Sequence, residues 1–328
     1  MPVEWLDDPG TFAGRDWDHL VEADPEATVF HTPRWLKLFW EELGAGTPRV
    51  AVVHRGGEDV AAAAFDVRDG TLAWLGGFDV TDYMGPVSAP GDRPLAAREL
   101  MSALCLLEGW QSADLAGLPE DGSWLGALRD AAVAAGMDAR VEDDAIAPFV
   151  ALPETFDAYL AGLHSKQRHE IRRKERRLRE RYPDTRLVDA TAETLSEDMD
   201  RFVEMHRSAV GEKGRFMGPG MELFFRRLAE ELLPDGTMRL SFIEADGRRI
   251  AGAMGFRWRD RFLLYNSAFD HAEGRVAPGM VLVAELIRAA IEEGRRGFDM
   301  LKGDLPYKYR FGAKRRRVMR LRLRKEPG

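Results

Sequence analysis

One order of elements is read twice along this chain, and that repetition constrains its fold more than any single motif. Apolar periodicity and turn residues predict strands over 3–6, 49–54, 60–67, 71–75, 113–116 and 138–142. Helices are predicted over 16–22, 33–43, 93–110 and 123–135. The second half repeats the series β-α-α-β-β-β-α-β-α-β, with its last helix reduced to a turn. Its strands fall over 185–189, 237–245, 250–258, 262–268, 298–301 and 318–324, after helices over 156–163 and 166–181. Gly56-Gly57, Asp69-Gly70 and Asp246-Gly247 supply tight hairpin turns. Three hairpin-linked strands followed by β-α-β cannot form an all-parallel sheet. Each half is therefore expected to form a mixed, mostly antiparallel sheet flanked by helices, an α/β (mixed α+β) class. The expected domains are 1–145 and 146–328, with a groove between them.

The length of 328 residues fits two domains. A single cysteine, Cys105, excludes an internal disulfide and a multi-cysteine zinc site. Apolar runs such as 60–65 and 250–256 are far shorter than a membrane span. The N-terminus, MPVEWLDDPG, has no basic and then apolar segment of a signal peptide, so a cytoplasmic location is expected. The net charge of −8 hides an asymmetry: residues 1–150 carry −17 and residues 151–328 carry +9. A basic half is suited to an anionic partner, or to attraction by the acidic half.

Five segments carry candidate chemistry. In 262–294, the strand FLLYNSAFD runs through HAEGRVAPG into an amphipathic helix. Pro278 suits its first position, Gly279 follows, and Arg275 adds a charge. Free N–H groups at such a helix start, with the helix dipole, suit a pyrophosphate, although an ordinary loop before a proline-started helix reads the same way. In GFDMLKGDLPYKYRFG, 297–312, Asp299 and Lys302 stand at a strand end. They face opposite sides unless the strand ends between them. The helix over 165–181, SKQRHEIRRKERRLRER, has nine Lys/Arg and three Glu. Glu170–Lys174 and Glu175–Arg179 are spaced as i,i+4 pairs, and the rest suit RNA, an anionic lipid, a nucleotide-linked substrate or plain solvent. FDVTDYMGP, 78–86, offers Asp82 for an ammonium and Tyr83 for stacking, or is a plain loop. His206 and Arg207 lie on a helix, where His206 is a general base or a structural histidine. No GxxxxGK[ST], HExxH or GxSxG occurs, and the GAG at 44–46 lacks the rest of a dinucleotide fingerprint.

The runs LHSKQRHEIRRKERRLR, FVEMHR, FLLYNSAFD, RVAPGMVL and FDMLKGDLPYKYRF, with YMGP in the first half, resemble the CelD/BcsL-type branch of the GNAT acyltransferases. That branch is similar to the Fem-type aminoacyltransferases of peptidoglycan bridge synthesis. The resemblance implies tandem GNAT-like domains, the second holding the acyl donor. It implies an N-acyltransferase moving an acyl group from acyl-CoA, acetyl-CoA first, to an amine, with no metal. Fem-type relatives use aminoacyl-tRNA instead. Of the family's donor pattern Gln/Arg-x-x-Gly-x-Gly/Ala, aligned with Arg275, Pro278 and Met280, the first position matches. Lys302, by its position and by its resemblance to the lysine in this loop of Fem-type enzymes, is expected to stabilise the transition state or the donor phosphate, and Asp299 is the other catalytic candidate. Arg275, Pro278, Gly279 and Met280 are the expected donor contacts. Asp82, Tyr83, His206, Arg207, Tyr265, Tyr307 and Lys308 are the expected substrate contacts. The expected acceptor is a small molecule or cell-envelope precursor with an amine. The rival class is a non-catalytic GNAT-like module that binds RNA or another anionic partner through 165–181.

Overall fold

A computed structural model describes residues 3–6, 17–77, 79–209 and 211–325. In chain order the elements are β1 (Val3–Leu6), α1 (Asp18–Ala23), α2 (Pro33–Leu43), β2 (Thr47–Arg55), β3 (Glu58–Arg68), β4 (Thr71–Trp74), β5 (Val87–Ser88), α3 (Arg93–Leu106), β6 (Ser112–Pro119), α4 (Ser123–Ala134) and β7 (Met137–Ile146). Then follow β8 (Phe149–Ala151), α5 (Phe156–Gly162), α6 (Ser165–Arg181), β9 (Arg186–Asp189), α7 (Leu195–Arg207), α8 (Glu212–Phe216), α9 (Pro219–Leu232), β10 (Met238–Ala245), β11 (Arg248–Trp258), β12 (Arg261–Phe269), α10 (Pro278–Glu292), β13 (Gly297–Asp299) and β14 (Arg317–Lys325). Short 3₁₀ turns occupy Val29–His31, His271–Val276 and Lys308–Phe311. Among the described residues, no helix is long and apolar enough to cross a membrane.

The chain divides into two units, Met1–Ile146 with Arg316–Gly328, and Ala147–Arg315. In the first, the sheet order is β1-β2-β3-β4-β6-β14-β7, with β5 on β3. All its pairs are antiparallel except β4 with β6. The sheet is thus mixed and mostly antiparallel, as the hairpin pattern implies. Asp69-Gly70 turns the β3–β4 hairpin with φ of 48° and 73°, the paired positive angles of a type I′ turn. Phe65, Leu72, Leu115 and Leu321 form a core face with Leu100 and Leu104 of α3 and Leu128 of α4. On α2 the Thr32 hydroxyl accepts the Trp35 N–H, Pro33 opens the helix, and Trp35, Leu36, Leu38 and Phe39 are buried. Asp24, also buried, accepts from Arg93, the Ser88 N–H and the Trp124 indole. One carboxylate thereby ties the segment after α1 to β5, α3 and α4, and its burial is offset by charge-assisted bonds.

β14 departs from the expected boundary. The sequence reading leaves 318–324 in the second domain. The strand instead inserts between β6 and β7 of the first unit, pairing Leu321 with Leu115 and with Val141. Its cations meet acids there: Arg320 binds Asp114 and Asp144, and Arg322 binds Glu142. Alternation told which side chains are buried, not which sheet receives the strand.

In the second unit the order is β8-β13-β12-β11-β10-β9. β12 and β13 are parallel and the other pairs antiparallel. Asp246-Gly247 makes the β10–β11 turn, with φ of 49° and 70°. The helix α10 buries Val281, Leu282, Leu286, Ile287 and Ile291 in the core. Each such side chain contributes about 1.5–3 kcal/mol through removal from water. The three-residue β8 and the five-residue α8 have no counterpart in the sequence reading, because both are shorter than any period can register.

Candidate functional site

The chemistry-bearing residues of the second unit gather along the C-terminal part of β12. Met254 pairs with Asn266 but Gly255 pairs with Leu264, so Tyr265 is an extra residue and β12 bulges there. Gly255 permits the close approach: a Cβ there would lie 2.4 Å from the Phe262 ring and 2.7 Å from the Leu263 carbonyl. The half-buried Tyr265 ring packs edge-on to Phe225 at 5.6 Å and beside Phe256 at 5.3 Å.

The bulge also aims Asn266 at α7. Its Oδ1 accepts the Ser267 N–H at 2.8 Å and stands 3.1 Å from His206 Nε2. An acceptor on Oδ1 requires the proton on Nε2. His206 is buried, with its ring between Phe202 and Phe216. Arg207 points elsewhere, donating to the Met217 carbonyl and pairing with Glu222. His206 and Arg207 thus do not converge. Burial pushes the Tyr307 phenol up, and a hydrogen bond with Ser267 draws it part of the way back. Asn266 and Ser267 were absent from the sequence-derived set. The only cue to them was polar residues inside an apolar strand.

β13 ends at Asp299, so Asp299 and Lys302 are not bound to opposite faces of one strand. The buried Asp299 carboxylate accepts the Leu301 N–H at 2.8 Å, and Leu301 takes a left-handed φ of 54°. Lys308 is also buried. Its Nζ donates to the carbonyls of Met300, Leu301 and Lys302 at 2.6, 2.9 and 2.9 Å. Asp299 from one side and Lys308 from the other fix the turn that carries the half-buried Lys302. β13 follows β12 for three residues, 297–299 beside 261–263, and β12 then runs on to Phe269 without it. The sheet opens at that point, flanked by the bulge and by the Lys302 turn.

The start of α10 differs from the expected row of free donors. Pro278 has no N–H, and the N–H groups of Met280 and Val281 both turn back to the Ala277 carbonyl, at 3.1 and 3.4 Å. Ala277 holds a φ of 52° to make this possible. Of the first three residues of α10, Gly279 carries the N–H that is not drawn back to the Ala277 carbonyl. Met280 packs on the core, and Arg275 is exposed on the preceding 3₁₀ turn.

On α6, Ile171 and Leu178 are buried, and the expected i,i+4 pairs are replaced by longer ones. Glu170 binds Arg310 and Glu175 binds Arg288. Lys166, Arg172, Arg173 and Arg177 are exposed. Asp82 and Tyr83 lie in the first unit. Tyr83 is buried, with its ring 5.6 Å from the Arg316 guanidinium, and Asp82 is half-buried. Phe78, at the start of the expected cleft loop, is outside the described residues.

Residues 165–309 match a family model described as an acetyltransferase (GNAT) domain. No curated protein sequence matches the chain. Among solved structures, FemX has a TM-score of 0.68 at 12% identity, over 97% of this chain and 96% of that one. A conserved protein of unknown function from Bacteroides thetaiotaomicron VPI-5482 has a TM-score of 0.67 at 16% identity, over 98% and 100%. L-PGS from Bacillus licheniformis has a TM-score of 0.63 at 15% identity, over 98% and 93%. At these identities the likeness is one of fold. Residues 165–309 of the second unit are thus similar to the GNAT acetyltransferase domain, and the chain shares its fold with FemX.

Proposed function

We propose that this protein is an N-acyltransferase that moves an acyl group from acyl-CoA to an amine at the end of β12. The observation that carries the reading is the opening of the sheet after residues 261–263, between the Tyr265 bulge and the Lys302 turn. A donor carbonyl lying there meets strand N–H groups and the Lys302 ammonium. The amine nitrogen attacks the carbonyl carbon, and the C–N bond forms as the π electrons move to oxygen. Lys302 and the β12 N–H groups stabilise that oxyanion. The carbon–sulfur bond then breaks, the thiolate leaves with the electron pair, and the proton lost by the amine neutralises it. Asp299 and Lys308 act by holding the Lys302 turn, and His206 by holding Asn266 and the bulge. Tyr265 and Tyr307 border the acyl group, while Arg275 and the Gly279 N–H serve the donor phosphates.

A second reading is favoured by one observation, the return of the Met280 and Val281 N–H groups to the Ala277 carbonyl. That turn offers a pyrophosphate few backbone donors, so its phosphates must find side-chain cations. An aminoacyl-tRNA donor, with phosphates on the exposed cations of α6, meets that requirement. Salt dependence separates the two. Acyl-CoA engages few phosphates, so its affinity falls little between ~50 and ~200 mM salt. A tRNA engaging six or more phosphates loses on the order of a thousandfold. Titrating acetyl-CoA, a longer acyl-CoA and charged tRNA at both salt levels decides. Weakly salt-dependent coenzyme A binding, lost in Gly279→Trp, supports the first reading. Steep tRNA binding without coenzyme A binding supports the second. Saturable tRNA binding with no transfer of any acyl group favours a binding module over both.

A further inference from the structure

Helix α6 lies on the second unit through Ile171 and Leu178, which are buried in its core. At about 100° per residue, the side opposite them carries Lys166, His169, Arg172, Arg173, Arg176 and Arg177, all exposed, within about 16 Å of helix length. The three acids of the helix do not neutralise this face. Glu170 is paired with Arg310 and Glu175 with Arg288, while Glu180 meets Arg176 at 3.6 Å. Lys166, Arg172, Arg173 and Arg177 have no ion pair among the described residues.

Such a stripe works against the helix that carries it. Arg172–Arg176 and Arg173–Arg177 are like charges at i,i+4, the spacing at which they repel one another. A face kept basic at that cost fits a partner that supplies the missing anions. The face offers charge and little else. No aromatic residue occurs in 165–181 on which a base could stack. Gln167, the one amide of the helix, is engaged with the Tyr309 carbonyl at 2.7 Å, so it is not available to base edges or ribose hydroxyls. A folded nucleic acid holds its phosphates in fixed positions, which one convex ridge meets at few points. A fluid lipid surface sets no such condition, because its headgroups diffuse to the cations.

We propose that the outward face of α6 docks the protein on an anionic lipid surface, with Lys166, Arg172, Arg173 and Arg177 at the phosphate headgroups. The contact is electrostatic and peripheral. Ile171 and Leu178 are already buried in the core, so α6 has no large apolar side chain left to enter the bilayer. The proposal does not rest on the transfer reading, because binding is measured with no acyl donor or amine present. It competes with tRNA for the same cations, and the test includes both.

The test is co-sedimentation of the full-length protein with phosphatidylcholine vesicles containing about one third phosphatidylglycerol, beside pure phosphatidylcholine vesicles. Binding to the anionic vesicles alone is expected. It should fall about tenfold or more from ~50 to ~500 mM salt, where the screening length shrinks to about 4 Å. Arg172→Gln, Arg173→Gln and Arg177→Gln together should weaken it about a hundredfold, the loss of three charges at the surface. The same three arginines changed to Lys should bind as the parent does, because headgroups answer to charge rather than to guanidinium geometry. If the Gln variant fails to fold, the Lys variant and the salt series decide. Arg55→Gln, Arg98→Gln and Arg129→Gln, at exposed positions of the first unit, change the net charge equally and should leave binding intact. The proposal is overturned by no binding to anionic vesicles, by equal loss in the two Gln variants, or by a folded Lys variant that does not bind. An RNA duplex of ~20 base pairs bound more tightly than the vesicles at the same salt overturns it as well, and assigns the face to nucleic acid.

Discussion

Lys308→Met removes the group that holds the Lys302 turn while keeping the length and apolar volume of the side chain. In the native protein Lys308 is 4% exposed and its ammonium donates to three carbonyls, at 2.6, 2.9 and 2.9 Å. The variant leaves buried carbonyls without this donor. Hydrogen bonds to a charged group contribute about 1.5–3 kcal/mol each, but burial of the ammonium offsets part of that sum. A net loss of ~3–5 kcal/mol is the magnitude for removing one partner of a buried polar cluster. For a body the size of the second unit this lowers the melting temperature by about 10 °C. Differential scanning calorimetry reads the shift, with Arg310→Met as control. Arg310 is exposed and bridges to Glu170, so its loss should cost under about 1 kcal/mol. A Lys308→Met protein melting within ~2 °C of the parent would refute the assignment of Lys308 to the turn.

Three further outcomes follow from the same geometry. Lys302→Met should keep the fold and lower turnover about a hundredfold or more, the scale of losing one oxyanion stabiliser, as read by steady-state kinetics. Changing Arg172, Arg173 and Arg177 to Gln should shift the melting temperature by under ~2 °C, because exposed charges contribute little. The same change should weaken tRNA or coenzyme A binding in a filter or calorimetric assay. The Arg226 guanidinium, hydrogen-bonded to Glu222, holds that carboxyl below the usual carboxylate range. Its folded pKa is depressed, so its stabilisation is complete above the unfolded value of about 4.3 and is lost as pH falls through the folded value. The melting-temperature gap between parent and Glu222→Gln should therefore close on acidification from pH ~6 to ~3. A constant gap would contradict that assignment.

Most of the element order was legible because hairpin turns and apolar periods are local. Asp69-Gly70 and Asp246-Gly247 fixed two turns, and Pro33 and Pro278 fixed two helix starts. Partner choice between distant strands is not local, which is why β14 was assigned to the wrong half. Its arginines, matched to acids on β6 and β7, carried that information only once those strands were known. The placement of some candidates was legible in outline: Asp299 ends β13, Lys302 follows three residues on, and Tyr265 lies on the neighbouring β12. The bulge was not, since no letter marks Tyr265 as an extra residue. Lys308 reads as a substrate contact because nothing in KYRF shows that three carbonyls converge on its charge. The Ala277 carbonyl, which takes two of the expected donors, depends on a backbone angle that an alanine does not advertise.

Mass spectrometry of an acyl-transfer reaction tests the central claim most directly. The protein is incubated with an acyl donor, acetyl-CoA in one vessel and charged tRNA in another, and a set of primary amines. The account predicts a new amide, heavier than one amine by the acyl group, that forms with turnover and is lost in Lys302→Met. Amide formation undiminished in a folded Lys302→Met protein, or none with either donor beside measurable donor binding, would contradict it.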